Sequence, residues 1–193
     1  MIKSIQVFCG SSKGSNPIYT QATKLLGQLL VKHDITLVYG AGNVGLMGII
    51  ADEVLENEGK AIGVIPDFLV KWEVCHGGLT GLHIVKSMDE RKIKMAELSD
   101  ATIVLPGGYG TLDELFEILT LVQLRQLEQP VGILNVNGYY DHLLAHFSKM
   151  YEENFLKDIH RDMVITSDNP RELLAKMAEH KPIGSVGKWW NKK

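Results

Sequence analysis

The chain has 193 residues, 45% of them hydrophobic, and a formal net charge of -3. These values suit one globular domain with a sizeable core, and so small a charge leaves no footprint for broad nucleic-acid binding. The two cysteines, Cys9 and Cys75, have neither metal nor disulfide spacing and fit a reducing compartment.

Met1 to Ile5 runs straight into a strand rather than a signal peptide. No apolar run approaches the roughly 20 residues needed to span a bilayer. The expectation is a soluble, cytoplasmic protein with no membrane or nucleic-acid partner.

Ile2 to Phe8 reads as the first strand, followed by the turn Cys9-Gly10-Ser11-Ser12. Asn16 and Pro17 form an N-cap and first helical residue. The helix they open carries Ala22, Leu25, Leu26, Leu29 and Leu30. Ile35 to Tyr39 is the second strand. A helix from about Leu46 to Asn57 stops at Gly59. Ala61 to Ile65 is the third strand, ending at Pro66-Asp67, and Phe68 to Gly81 is irregular. Leu82 to Val85 is a short strand, and Ser87 starts a helix over Met88 to Leu98.

Ala101 to Leu105, short, apolar and β-branched, predicts a buried strand. After it, Leu112, Leu115, Phe116, Leu119 and Val122 have helical spacing to about Leu127. Val131 to Asn135 is a strand, Tyr139 to Glu153 a helix and Met163 to Thr166 a last strand. Asp168-Asn169-Pro170 opens a last helix, about Arg171 to His180. This alternation predicts one α/β domain over residues 1–180, with a mostly parallel sheet, helices on both faces and right-handed crossovers. The tail at 181–193, with Trp189-Trp190, has no period; it reads as solvated or loosely docked, or else as a partner-docking segment.

Three stretches carry chemistry. Pro106-Gly107-Gly108-Tyr109-Gly110-Thr111-Leu112-Asp113-Glu114 makes a glycine-rich strand-to-helix turn. Such turns stand at the carboxyl end of a sheet, where ligands bind. Glycines there admit a ligand to the backbone, and the helix N-terminus suits a phosphate. Thr111 to Glu114 also reads as a capping box, so Glu114 is either a helix cap or a catalytic carboxylate. No Gly-Lys-Ser/Thr follows, so the loop is not a Walker motif, which argues against nucleotide triphosphate hydrolysis.

Gly40-Ala41-Gly42-Asn43-Val44-Gly45 matches a dinucleotide fingerprint, with Asp67 ending the next strand. It follows the second strand instead of the first, and there is no separate substrate domain. NAD binding, a turn lining another ligand and simple packing glycines all remain readings of it. On the Ser87-capped helix, Met88, Arg91, Met95 and Leu98 share one face. Arg91 therefore points inward, where it meets an anionic ligand or else forms a structural ion pair or snorkels, with Lys92 beside it adding positive charge. Ser11 and Ser12 stand at the same sheet edge, either to bond a phosphate or ribose or as an ordinary turn. His76 and His83 lack metal-ligand spacing.

Taken together, the P-G-G-x-G-T-x-x-E stretch and Met88-x-x-Arg91-Lys92 resemble the Lonely Guy family. These are cytokinin riboside 5′-monophosphate phosphoribohydrolases, many once labelled lysine decarboxylases. The resemblance extends to Cys9-Gly10-Ser11-Ser12, Gly40-Ala41-Gly42-x-x-Gly45-Leu46-Met47-Gly48, Ser99-Asp100-Ala101 and Leu134-Asn135-Val136-x-Gly138-Tyr139-Tyr140, over roughly Ile5 to Phe155. The departures are Asp89, where the family usually has histidine, and Leu121 to Arg125 in place of W-x-Q-L-G.

The resemblance implies a Rossmann-like domain, usually dimeric, whose catalytic pair is Arg91 and Glu114. It also implies a 5′-phosphate held by the loop, at Gly107, Gly108, Gly110 and Thr111. Tyr109, Lys92, Ser11, Gly42 and Thr120 complete the expected substrate-binding set. The expected reaction is hydrolysis of the N-glycosidic bond of an adenosine-type nucleoside 5′-monophosphate, with prenylated or plain adenine as base and no metal or organic cofactor. The alternatives are a non-catalytic AMP-type sensor and, third, an NAD-dependent oxidoreductase.

Overall fold

Residues 1–70 and 75–180 are described by the structure, a computed structural model. The expected tail at 181–193 lies outside the described residues. Among the described residues, seven strands are hydrogen-bonded in the order β4-β3-β2-β1-β5-β6-β7. They are β1 (Ser4–Phe8), β2 (Thr36–Tyr39), β3 (Ala61–Pro66), β4 (Gly81–Val85), β5 (Ala101–Val104), β6 (Val131–Leu134) and β7 (Val164–Ser167). Every pairing is parallel. The α/β expectation therefore holds, with a sheet that is wholly rather than mostly parallel.

Among the described residues, eight α-helices connect and flank these strands: α1 (Pro17–Lys32), α2 (Gly45–Glu56), α3 (Asp67–Val70), α4 (Met88–Glu97), α5 (Tyr109–Gln123), α6 (Asp141–Glu152), α7 (Asp158–Arg161) and α8 (Pro170–Ala178). Strand residues alternate between the two faces, as a period of two requires. Ile5, Val7, Leu37, Tyr39, Ile103 and Leu105 join α1, α2 and α8 in one core. Phe8, Val38, Val104 and Ile133 join α4 and α5 in the other. Leu26, Leu29 and Leu30 of α1 are buried, and each leucine so removed from water contributes about 1.5–3 kcal/mol.

Several expected boundaries move. Helix α5 starts at Tyr109, with Gly108 as an N-cap that makes no side-chain bond, so the expected Thr111–Glu114 capping box does not form. Thr111 is already the third helical residue, and Glu114 lies in the second turn. The same helix ends at Gln123, short of Leu127, because Arg125 takes φ 59°. There Gln126 N–H returns to Leu121 O and Arg125 N–H to Val122 O, a Schellman close.

The helix expected over Tyr139–Glu153 forms as one helix, α6, from Asp141 to Glu152. A 3-10 turn at Val136–Gly138 precedes α6, with Asn137 and Gly138 both at positive φ. The short helices α3 and α7 fall where no periodic pattern was long enough to announce them.

Candidate active site

The chain leaves β1 toward β2 on one side and returns to β5 on the other. The β1–β5 junction is thus the topological switch point, where parallel sheets open a crevice beyond their carboxyl ends. Gly10 N–H donates to Pro106 O at 3.0 Å and Leu105 N–H to Phe8 O at 2.9 Å, stitching the Cys9-Gly10-Ser11 turn to the Pro106-Gly107-Gly108 turn. Gly107 is the contact between them: a Cβ there would lie 2.1 Å from Thr111 Oγ1 and 2.9 Å from Gly10 N. Behind the loop, Tyr139 OH donates to Gly107 O at 2.6 Å and Tyr140 OH to Leu105 O at 2.7 Å.

Toward solvent the loop is open. A Cβ on Gly108 or Gly110 would meet nothing within 4 Å. The first intrahelical acceptor of α5 serves Leu112, whose N–H reaches Gly108 O at 3.2 Å. The N–H groups of Tyr109, Gly110 and Thr111 therefore have no acceptor within the helix and carry its positive dipole end.

Arg91, only 6% exposed, reaches this edge from α4. Its Nη2 donates to Gly40 O at 3.1 Å, at the carboxyl end of β2, and its Nη1 lies 3.8 Å from Met88 Sδ. Its Nε is buried with no hydrogen-bond partner among the described residues. A buried donor left unpaired is costly unless something occupies its site, so this nitrogen is available to an anion or a polar ligand. Glu114 is also buried, at 9% exposure.

The buried thiol of Cys9 feels both charges. Burial pushes its thiol pKa up, the Glu114 carboxylate pushes the same way, and the Arg91 guanidinium opposes them. The charges of a buried carboxylate and a buried guanidinium thus both act on Cys9, on the sheet edge that carries the open N-terminus of α5.

Of the expected site residues, the structure brings Arg91, Glu114, Gly107, Gly108, Tyr109, Gly110 and Thr111 to this one edge. Ser11 joins them: its carbonyl carbon would stand 2.2 Å from a Cβ on Gly45, so the first turn rests on the start of α2. Gly42 lies on the neighbouring turn and bridges to Cys75. In the fingerprint stretch, the space beside Gly40 is taken by Arg91 and that beside Gly45 by Ser11. Both glycines thus serve internal packing.

Two expected residues turn elsewhere within this chain. Thr120 is exposed and its hydroxyl donates to Phe116 O at 2.7 Å; at 1.5 Å per residue it lies roughly 16 Å along α5 from Tyr109. Lys92 directs Nζ to Asp113 at 3.2 Å and to Glu117. Burial alone would lower its pKa, but the bonds and charges of Glu117 and Asp113 outweigh that and raise it.

Sequence reasoning did not single out Cys9 or the two tyrosines as parts of the site, and it named Gly40 within the fingerprint stretch but not as the seat of Arg91. The tyrosines stood in the quoted Gly138-Tyr139-Tyr140 stretch, but nothing in it shows that a strand and a turn bring them under the glycine loop.

A family model described as possible lysine decarboxylase matches residues 47–177. A probable cytokinin riboside 5′-monophosphate phosphoribohydrolase of Oryza sativa subsp. japonica is 47% identical over 176 residues, covering 91% of this chain and 79% of the relative. A cytokinin riboside 5′-monophosphate phosphoribohydrolase of Arabidopsis thaliana is 43% identical, covering 93% and 83%. Among solved structures, the molybdenum cofactor binding protein of Rippkaea orientalis superposes with a TM-score of 0.69 at 21% identity, over 92% of this chain and 96% of that one. The molybdenum cofactor carrier protein of Chlamydomonas reinhardtii gives 0.70 at 16%, over 93% and 98%. At such identity these structures establish the shared fold.

The decarboxylase description does not fit the site. Pyridoxal phosphate chemistry needs a lysine that can lose its proton and form a Schiff base, whereas Lys92 is ion-paired to Asp113 and Glu117 with its pKa raised. On its motifs and on relatives 41–47% identical over most of its length, the chain belongs to the Lonely Guy family of cytokinin riboside 5′-monophosphate phosphoribohydrolases, which the possible lysine decarboxylase model also covers.

Proposed function

We propose that this protein hydrolyses the N-glycosidic bond of an adenosine-type nucleoside 5′-monophosphate, prenylated on N6 or plain. The products are the free base and ribose 5-phosphate. The observation that carries the reading is the burial of both Arg91 and Glu114, whose charges act on Cys9, at the sheet edge that carries the open N-terminus of α5.

In this reading the 5′-phosphate takes the free N–H groups of Tyr109, Gly110 and Thr111, against the backbone of Gly107 and Gly108. That anchors the ribose at a distance from the reacting bond, and binding energy spent there positions the sugar. As the bond from C1′ to the base nitrogen lengthens, positive charge develops on the ribose. Glu114 stabilises that charge and takes a proton from the attacking water, whose oxygen forms the new bond to C1′. The base departs with the electron pair of the broken bond and is protonated. Arg91 balances the carboxylate and, through its unpartnered Nε, contacts the ligand. Ser11 lies within reach of the phosphate or ribose.

The reading includes a cytoplasmic homodimer or larger homo-oligomer. It is supported by exposed apolar side chains on and just after α5: Tyr109 at 93%, Phe116 at 40% and Leu124 at 44%. Light scattering on purified protein tests it, with a monomeric mass as the contrary result. The catalytic reading is tested by incubating the protein with AMP and with isopentenyladenosine monophosphate and resolving base from nucleotide by chromatography. Binding without base release would replace the enzyme by a nucleotide sensor.

A further inference from the structure

Lys92 follows Arg91 on α4, and Asp113 precedes Glu114 on α5. The Lys92 ammonium is held by Asp113 Oδ2 at 3.2 Å and by Glu117, with Asp89 Oδ1 at 3.8 Å. Its side chain is 9% exposed, against 62% for Asp113 and 30% for Glu117. So the lysine is buried between the helices, while the carboxylates reach in from the rim. Asp89, where the family usually carries histidine, adds a third negative charge from the first turn of α4.

We infer that Lys92 is a positioning residue which ties α4 to α5 and so sets the separation of Arg91 from Glu114, and that it does not bind the substrate phosphate. Three observations carry this. The three acidic partners already surround the ammonium, so an incoming phosphate would compete with carboxylates in place. The ion pairs link the sequence neighbours of the two catalytic side chains, so a shift of one helix along the other is felt directly at the site. Lys92 also lies in the second turn of α4, Asp113 in the second turn of α5 and Glu117 in its third, so the tie sits in the N-terminal halves of both helices, one residue from each catalytic side chain. The inference rests on the phosphoribohydrolase reading, because it gives the tie a reaction to serve.

The test neutralises the partners rather than the lysine alone. Asp113→Asn and Glu117→Gln are prepared beside Lys92→Met, and steady-state kinetics are measured on isopentenyladenosine monophosphate. A misplacement of about 1 Å can cost roughly 100-fold in rate. The tie therefore predicts kcat lowered about 10-fold in Glu117→Gln and about 100-fold in Lys92→Met, with KM within about twofold of wild type. Lys92→Arg, which can still reach both carboxylates, should recover part of the lost kcat.

A phosphate-binding lysine predicts the opposite pattern. Freeing its charge in Asp113→Asn and Glu117→Gln would lower KM, and Lys92→Met would raise KM with kcat preserved; either result overturns the tie. If wild type releases no base from any monophosphate, the phosphoribohydrolase reading fails first and takes the tie with it. An active wild type with the KM pattern defeats the tie alone.

Discussion

Arg91 Nη2 occupies the space that a side chain on residue 40 would need. It donates to Gly40 O at 3.1 Å, and a Cβ on Gly40 would stand 1.7 Å from that nitrogen. Gly40→Ala should therefore push the guanidinium out of its seat. The displaced atom is the far end of a flexible side chain, so the fold can absorb the change. The expected result is a melting temperature within a few degrees of wild type and a fall in kcat of about 100-fold, as for other small misplacements of a reacting group. Thermal denaturation and steady-state kinetics on the same preparation check both halves. A large loss of stability would make Gly40 a packing residue first.

The glycines of the loop should separate by role. Gly107→Ala drives a methyl into Thr111 Oγ1 and the Gly10 backbone, at 2.1 and 2.9 Å, and such overpacking costs about 1–3 kcal/mol. A methyl on Gly108 or Gly110 meets nothing within 4 Å. Gly110→Ala should thus stay within about 0.5 kcal/mol of wild type while raising KM for the monophosphate, because the new methyl projects into the open side of the loop. Chemical denaturation and KM, measured on both variants, decide whether the two positions divide in this way.

Asp100 predicts a pH dependence of stability. Burial pushes its carboxyl pKa up, but bonds from Lys3 N–H, the Ser4 hydroxyl and Ser4 N–H outweigh it, and the folded value lies below the ordinary 3.8. A depressed acid stabilises the fold above its unfolded pKa and loses that contribution as pH falls through the folded value. Wild type should therefore lose stability as pH drops below 3.8. Asp100→Asn should be less stable at neutral pH and show a shallower decline over that acidic range. Melting curves from pH 7 down to pH 2 measure it; parallel curves for the two proteins would remove Asp100 from the account.

The fold was legible because its signals are local. The alternation of apolar runs with helical periods placed all seven strands and the long helices, and the inward phase of Arg91 came from helical spacing alone. Glu114 was harder to read. A threonine three residues before a glutamate has the form of a cap, and only the early start of α5 at Tyr109, on an extended Gly108, moves both residues inside the helix.

Lys92 shows a different gap. Its charge suggested a phosphate, but its partners Asp113 and Glu117 stand on another helix, and no local pattern pairs Lys92 with Asp113, 21 residues away, or with Glu117 beyond it. Gly40 escaped for the same reason: its neighbour in space is the end of a side chain 51 residues away.

The central claim is that Glu114 acts on the glycosidic bond. The most direct test sets wild type against Glu114→Gln with isopentenyladenosine monophosphate and AMP, following free base and ribose 5-phosphate together. The account predicts equimolar release of both products by wild type. Glu114→Gln should be slower by about 100- to 10,000-fold, the range for loss of a general base, with an unchanged melting temperature. No release by wild type, or release by Glu114→Gln at a wild-type rate, would contradict it.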